Sequence, residues 1–123
     1  MIAIDTSTLR RYLSGESGRD VSLARAAIVD GRAMLPPVVL CEALSDPALP
    51  PELIDDISGL PVLALGEGFW QRAGLLRAQL IKAGRKAKLA DVLIAQSCID
   101  HRVSLVTNDR DFRNFVKHGL KLA

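Results

Sequence analysis

Four acidic residues in this 123-residue chain stand where apolar neighbours dominate. Asp5 ends the run MIAID, Glu42 interrupts VVLCEAL, Asp91 interrupts LADVLIA, and Asp109 comes two residues after Thr107 in SLVTNDRDF. An ionised carboxylate is costly to bury unless it is paired, protonated or bound to a cation. The last of these unites all four. Gathered at strand ends, they make a hard-oxygen site for Mg²⁺ or Mn²⁺, ions that keep several waters and take one or two protein carboxylates each. The chemistry such a site permits is hydrolysis of a phosphodiester, because the cation makes water acidic near neutral pH and neutralises charge growing on the phosphoryl and leaving oxygens. No histidine is required as base. The only two, His101 and His118, lie outside the acidic stretches and read as surface residues. Each acid also has an ordinary reading. Asp5 suits a helix cap, Glu42 an arginine partner, Asp91 a first-turn acid favoured by the helix dipole, and Asp109 or Asp111 a cap in the NDRD turn.

The elements that must position these acids follow from the pattern. MIAID, AMLP, LPVLAL and VSLVT are short apolar runs of strand type, and the terminal LKLA reads as a short edge strand. Between them lie helical rhythms. TLRRYLSG is capped by one of the hydroxyl residues Thr6, Ser7 and Thr8 and stopped by Gly15 and Gly18. RDVSLARAAIVDG ends at Gly31, and PVVLCEALSD starts on Pro36 and Pro37 and stops before Pro47. PPELIDDISG is a short helix. The longest, within GEGFWQRAGLLRAQLIKAG, sets Phe69, Ala73, Leu76 and Leu80 on one face and ends at Gly84, and LADVLIAQSCIDH is another. Strands alternating with helices predict an α/β fold: a parallel sheet of four to five strands with helices on both faces and right-handed crossovers. In such sheets ligands bind beyond the carboxyl ends of the strands, where Asp5 and Asp109 emerge.

Length and composition predict one globular domain, with 49% hydrophobic and 24% charged residues and a net charge of +2. That charge is compatible with a polyanionic partner but does not demand one. Lys82, Arg85, Lys86 and Lys88 cluster within seven positions, either as a solvated helix end or as a phosphate-contacting rim. Cys41 and Cys98 lack any metal-ligand spacing and read as small buried residues. No signal peptide and no membrane-length run is expected, which makes the cytoplasm the default location.

IDTSTL, LPPVVLCEAL and KLADVLIAQSCIDHRVSLVTNDRDF together resemble the PIN-domain ribonucleases, most closely the VapC-type toxins of toxin-antitoxin systems. The last stretch carries the most specific resemblance, which covers essentially the whole chain and implies one PIN domain over residues 1–123. It implies that Asp5, Glu42, Asp91 and Asp109 form the catalytic quartet, with Asp5, Asp91 and Asp109 as ligands to Mg²⁺ or Mn²⁺. Ser7 and Thr107 then match the supporting hydroxyls, and Asp111 is expected to point elsewhere. The implied substrate is RNA, with Arg10, Arg11, Lys82, Arg85, Lys86 and Lys88 as candidates for phosphate contacts. With only Tyr12, Phe69, Trp70, Phe112 and Phe115 as aromatics, and Phe69 and Phe112 assigned to the core, recognition is expected to rest on RNA shape. The resemblance further implies a homodimer and a cognate antitoxin, with Trp70, Leu75 and Ile81 serving either those interfaces or, as the favoured reading, the core.

Rival readings fit less well. A haloacid-dehalogenase-like phosphatase wants a second acid two residues after the nucleophile, where this chain has Ser7. A receiver domain wants paired acids near the start. No GxxxxGK[ST] or GxGxxG follows a strand. A PIN-like module that binds RNA or a partner without cutting, a PIN nuclease acting without an antitoxin, and a nuclease acting on DNA remain as alternatives.

Overall fold

The apolar runs pair as β1 (Ile2–Ile4), β2 (Ala33–Met34), β3 (Ser104–Val106) and β4 (Lys121–Leu122). They form one parallel sheet in the order β2-β1-β3-β4. Short strands buried on both faces need no alternation of polar residues, and Ala3, Ile4, Leu105 and Val106 are almost inaccessible. The computed structural model describes every residue from Met1 to Ala123.

Chain order and strand order part company at one place. From β1 the chain steps to β2, then returns past β1 to β3 and continues outward to β4. With right-handed crossovers, that reversal sends α1 (Thr6–Leu13) and α2 (Arg19–Val29) to one face of the sheet. α3 (Pro37–Leu44) and α4 (Pro51–Ser58) lead from β2 to a bridge at Val62 on its outer side and so stay on that face, where Leu53 and Ile57 of α4 meet Leu9, Leu13 and Ile28. The other face receives α5 (Phe69–Lys82), α6 (Leu89–His101) and a 3₁₀ helix over Arg110–His118. The reversal also creates a switch point, a crevice beyond the carboxyl ends of β1 and β3 where the two helical layers diverge.

A single contiguous core binds the layers, with Leu9, Ala24, Ala27, Val39 and Ile57 from one side and Phe69, Leu80, Val92, Phe112 and Phe115 from the other. Phe69, Ala73, Leu76 and Leu80 of α5 are buried at the helical spacing expected. The helix stops in a Schellman motif: Gly84 takes φ 72°, its N–H donates to Ile81, and the Arg85 N–H donates to Leu80.

The sequence reading needs correcting at four points. LPVLAL forms no fifth strand; it makes one parallel bridge, Leu35 to Val62, because Pro61 lacks the N–H that a continuing ladder needs. The 3₁₀ helix was not anticipated, since its core-facing signal is only Phe112 and Phe115 three residues apart, the period of that tighter helix, while Val116 stays exposed. Cys98 is buried but Cys41 is exposed, because Val39 and Ala43 on α3 take the core-facing positions and leave Cys41 between them pointing outward. Trp70, Leu75 and Ile81 are not core: they are 64%, 66% and 56% exposed. Neighbouring Phe69 takes the inward direction that Trp70 would need, and the two rings meet edge to face.

Candidate active site

Asp5 is the first residue past β1, and its N–H continues the ladder to the Val106 carbonyl. The adjacent residues turn at once into α1, so the Asp5 side chain becomes the helix cap and accepts from the Thr8 N–H at 2.9 Å. The ordinary reading of Asp5 is therefore true, but it accounts for only one of its oxygens. The Thr107 hydroxyl reaches across from the end of β3 to donate to Asp5 Oδ2 at 2.5 Å. Ser7 Oγ lies 3.3 and 3.4 Å from the two carboxylate oxygens. Asp5 is 2% exposed, so these donors replace the water that a carboxylate would otherwise keep.

Thr107 has a second task, because its Oγ1 accepts from the Asp109 N–H at 3.0 Å. One hydroxyl thus ties the ends of β1 and β3 together. Asp109 in turn caps the 3₁₀ helix, accepting from the Asp111 N–H at 2.9 Å. Glu42, on the last turn of α3, receives the Thr6 hydroxyl on Oε1 at 2.6 Å. Arg10 Nη2 donates to the Glu42 carbonyl at 2.9 Å, which holds the guanidinium at the rim. Asp91 lies in the first turn of α6, where the helix dipole favours a negative charge.

Asp5, Glu42, Asp91 and Asp109 line one cleft of about 130 Å³, together with Thr6, Ser7, Arg10, Ile94 and Phe112. Larger hollows exist, and two of them are lined almost wholly by apolar side chains; volume does not mark this site, charge does. Burial pushes the Asp91 carboxyl up to about 6, and the Asp109, Asp111 and Glu42 carboxylates push the same way against the relief from Lys88. Too few cations face these acids. Lys86 Nζ stands 3.9 Å from Asp111 as the one ion pair of the group.

Asp111 is the residue that sequence reasoning misplaced. The Asp109 carboxylate accepts from the Asp111 N–H, and the turn this cap closes brings both carboxylates to Asp91. Oxygens of Asp91, Asp109 and Asp111 lie within 4.8 Å of one another. This all-oxygen set, answered only by Lys86 at 3.9 Å from Asp111 and by Lys88 near Asp91, suits a hard divalent cation. Asp5 borders the triad while its oxygens serve Thr8, Thr107 and Ser7. Thr6 was also missed; its only signal in the sequence is a hydroxyl immediately after the first acid.

The basic candidates divide. Arg10 lines the cleft, and Lys82, Arg85, Lys86 and Lys88 are exposed. Arg11 does not line it, since its guanidinium is committed to Asp20, Glu16 and the Ser17 carbonyl. His101 is exposed, with Nε2 2.6 Å from the Ala64 carbonyl, and His118 is half-buried. No helix is long and apolar enough to cross a membrane.

No curated protein matches the sequence. Among solved structures, the fold is similar to FitAB bound to an IR36 DNA fragment, with TM-score 0.75 and 16% identity over 100% of this chain and 94% of that one. It is also similar to VapBC2 from Rickettsia felis bound to a DNA fragment from their promoter, with TM-score 0.71 and 20% identity over 100% of this chain and 98% of that one. The family model described as the PIN domain matches residues 2–117. On that match across nearly its whole length, this chain belongs to the PIN-domain family.

Proposed function

We propose that this chain is a metal-dependent endoribonuclease that hydrolyses RNA phosphodiester bonds at the acidic cleft. The observation that carries the reading is the convergence of Asp5, Glu42, Asp91 and Asp109 on one cleft at the switch point of the sheet, in a chain of the PIN family. Asp91 and Asp109, with Asp111, would hold Mg²⁺ or Mn²⁺, and Asp5 borders the same position. Such a cation supplies positive charge for the phosphoryl oxygens and makes water acidic enough to attack near neutral pH.

The chain's own residues supply orientation. Thr107 and Ser7 hold the Asp5 carboxylate against rotation, and Thr107 fixes the backbone that carries Asp109. Thr6 engages Glu42 Oε1 and leaves Oε2 to accept a hydrogen bond or a proton from the attacking water. Asp91 releases its own proton above about 6, which makes it available as a ligand at neutral pH. Arg10 offers a cation at the rim, within reach of a phosphate that the acids alone would repel.

The resemblance to VapC-type toxins and the fold shared with FitAB and VapBC2 support a toxin role in the cytoplasm, with a cognate antitoxin as partner. The exposed Trp70, Leu75 and Ile81 of α5 support a homodimer, because large apolar side chains left in water favour a covered surface. Incubating the purified chain, free of any antitoxin, with total RNA and Mg²⁺ or Mn²⁺ tests the reading. Discrete cleavage products that both EDTA and Asp5→Asn abolish are expected. Folded protein that binds the cation but cuts no RNA would turn the assignment towards a non-cutting module. Cleavage surviving Asp5→Asn would mean that the site is elsewhere.

A further inference from the structure

A ribonuclease whose reacting centre is a cluster of carboxylates has to hold a polyanion beside negative charge, so the phosphates flanking the cut bond must be gripped elsewhere. Six of the eleven arginines bond to acids or carbonyls, namely Arg10, Arg11, Arg19, Arg32, Arg72 and Arg77, and Arg25 lies over the Tyr12 ring. The 3₁₀ segment is different. Arg110, Arg113 and Lys117 project from Arg110–His118 while Phe112 and Phe115 anchor its other side in the core. None of these three, nor Arg85 opposite, appears in any ion pair.

These cations line two hollows that share Arg113 as a wall. The first, about 310 Å³, begins at Thr107, Asn108 and Asp109 and is walled by Arg19, Arg110 and Arg113. The second, about 230 Å³, is walled by Arg113, Asn114, Lys117, His118 and Arg85. Asp109 belongs to both the acidic cleft and the first hollow, and Arg113 to both hollows. The acidic cleft and the two hollows therefore lie side by side along shared walls, a depression in three parts whose lining changes from acidic to basic at Asp109. Cations crowded without internal partners cost stability and are satisfied by an external anion.

We infer that this depression is the binding track for RNA on one side of the cut bond, with Arg110, Arg113, Lys117 and Arg85 contacting successive backbone phosphates. The inference rests on the ribonuclease reading and extends it to residues outside the acidic cleft. It moves the main phosphate contacts from the Lys82–Lys88 stretch, of which only Arg85 lines the track, to the C-terminal 3₁₀ helix. Phosphate contacts position a strand without reading its bases, in keeping with the scarcity of exposed aromatics.

The test compares the full chain carrying Asp5→Asn, which holds RNA uncut, with the same chain also carrying Arg113→Gln and Lys117→Gln. Both added positions are exposed, and a thermal melt checks that the fold persists. Anisotropy of a labelled single-stranded RNA over a range of salt is expected to show roughly five- to tenfold weaker binding and a log-log salt slope shallower by about two, one per lost contact. In the chain with an intact cleft, the same pair should raise KM and leave kcat nearly unchanged. Arg32→Gln, at the opposite edge of the sheet, should do neither. Unchanged affinity and slope, while the Asp5→Asn chain binds RNA, would overturn the track and leave the ribonuclease reading standing. Absence of both RNA binding and cleavage in the unaltered chain would remove both. Binding of single-stranded DNA but not RNA through these two cations would overturn the assignment to RNA.

Discussion

Asp20 and Asp91 are both carboxylates drawn out of water, and the chain treats them in opposite ways. Burial tends to raise the pKa of Asp20, but the Thr8 hydroxyl at 2.9 Å and the Arg11 Nε at 3.2 Å outweigh it and hold the carboxyl below its ordinary value. For Asp91, burial acts in the same direction, and the Asp109, Asp111 and Glu42 carboxylates add to it against only the relief from Lys88. The α1–α2 junction is electrostatically closed: acid, hydroxyl and guanidinium satisfy one another within the chain. The cleft is open, with its charge answered by nothing of comparable strength inside the protein. A fold of this size retains such an imbalance only at a considerable cost to its stability, the signature of a functional site, whereas the junction has that of a structural one.

Removing each acid in turn is the most forceful way to break that contrast. Asp91→Asn should lower ribonuclease turnover by at least about 100-fold, more than the loss typical of a residue that merely supports a metal ligand. The same change should raise the melting temperature of the metal-free protein, because one of the mutually repelling charges is gone. Asp20→Ala should do the reverse. It strands the buried Thr8 hydroxyl and the Arg11 guanidinium and is expected to cost about 2–3 kcal/mol, towards the lower end for a broken buried pair because Arg11 can turn to solvent. Chemical denaturation alongside cleavage rates reads both effects. Equal loss of stability in the two variants would mean that the cleft is as internally compensated as the junction.

The two regions also differed in how legible they were from the sequence. Glu42 and Asp91 stood out because each interrupts an apolar run, and the β-strand rhythm placed Asp5 and Asp109 at the same sheet edge. The junction was invisible. Asp20 sits in the polar stretch GESGRD, and only the packing of α1 on α2 turns it into the partner of Arg11, which the sequence offered instead as a phosphate contact. Asp111 was misjudged because its direction depends on a side-chain cap two residues earlier, a backbone turn that no hydrophobic period encodes. The basic track escaped notice for a related reason: Arg85 and Arg113 are far apart in the chain and become neighbours only when the 3₁₀ helix lies against the end of α5. Strand order, which creates the switch point, likewise depends on long-range pairing.

A finer test probes the hydroxyls, which have opposite duties in the two regions. Thr107→Val removes the donor to Asp5 and the acceptor for the Asp109 N–H, and should reduce turnover roughly 10-fold or more by loosening two candidate site acids at once. Its effect on stability should be close to the ~1 kcal/mol of an ordinary buried hydrogen bond. Thr8→Val, which frees Asp20 from its hydroxyl, should cost similar stability while leaving turnover almost untouched. Cleavage rates that fall equally in both would show that the junction positions the cleft through α1.

Acid separates the two carboxylates most gently. Asp91 has a folded-state pKa of about 6 against 3.8 for the ordinary group, so between those values the folded chain holds a proton that the unfolded chain has released. Stability of the metal-free protein therefore rises as pH falls through 6 and gains no more from Asp91 once pH is below 3.8. Solvent screening limits the gain to about 1–2 kcal/mol. Asp20 has the opposite sign: its folded-state pKa lies below 3.8, so its contribution is intact above that value and is lost on further acidification. Melting temperatures of metal-free protein should accordingly peak between about pH 4 and 5 as far as these two groups decide it. Saturating Mg²⁺ should raise the melting temperature at pH 7.5 and lose that effect below about pH 6, where Asp91 is protonated and competes with the cation. A Mg²⁺ shift that persists undiminished at pH 5 would place the ion away from Asp91 and dissolve the distinction between an open cleft and a closed junction.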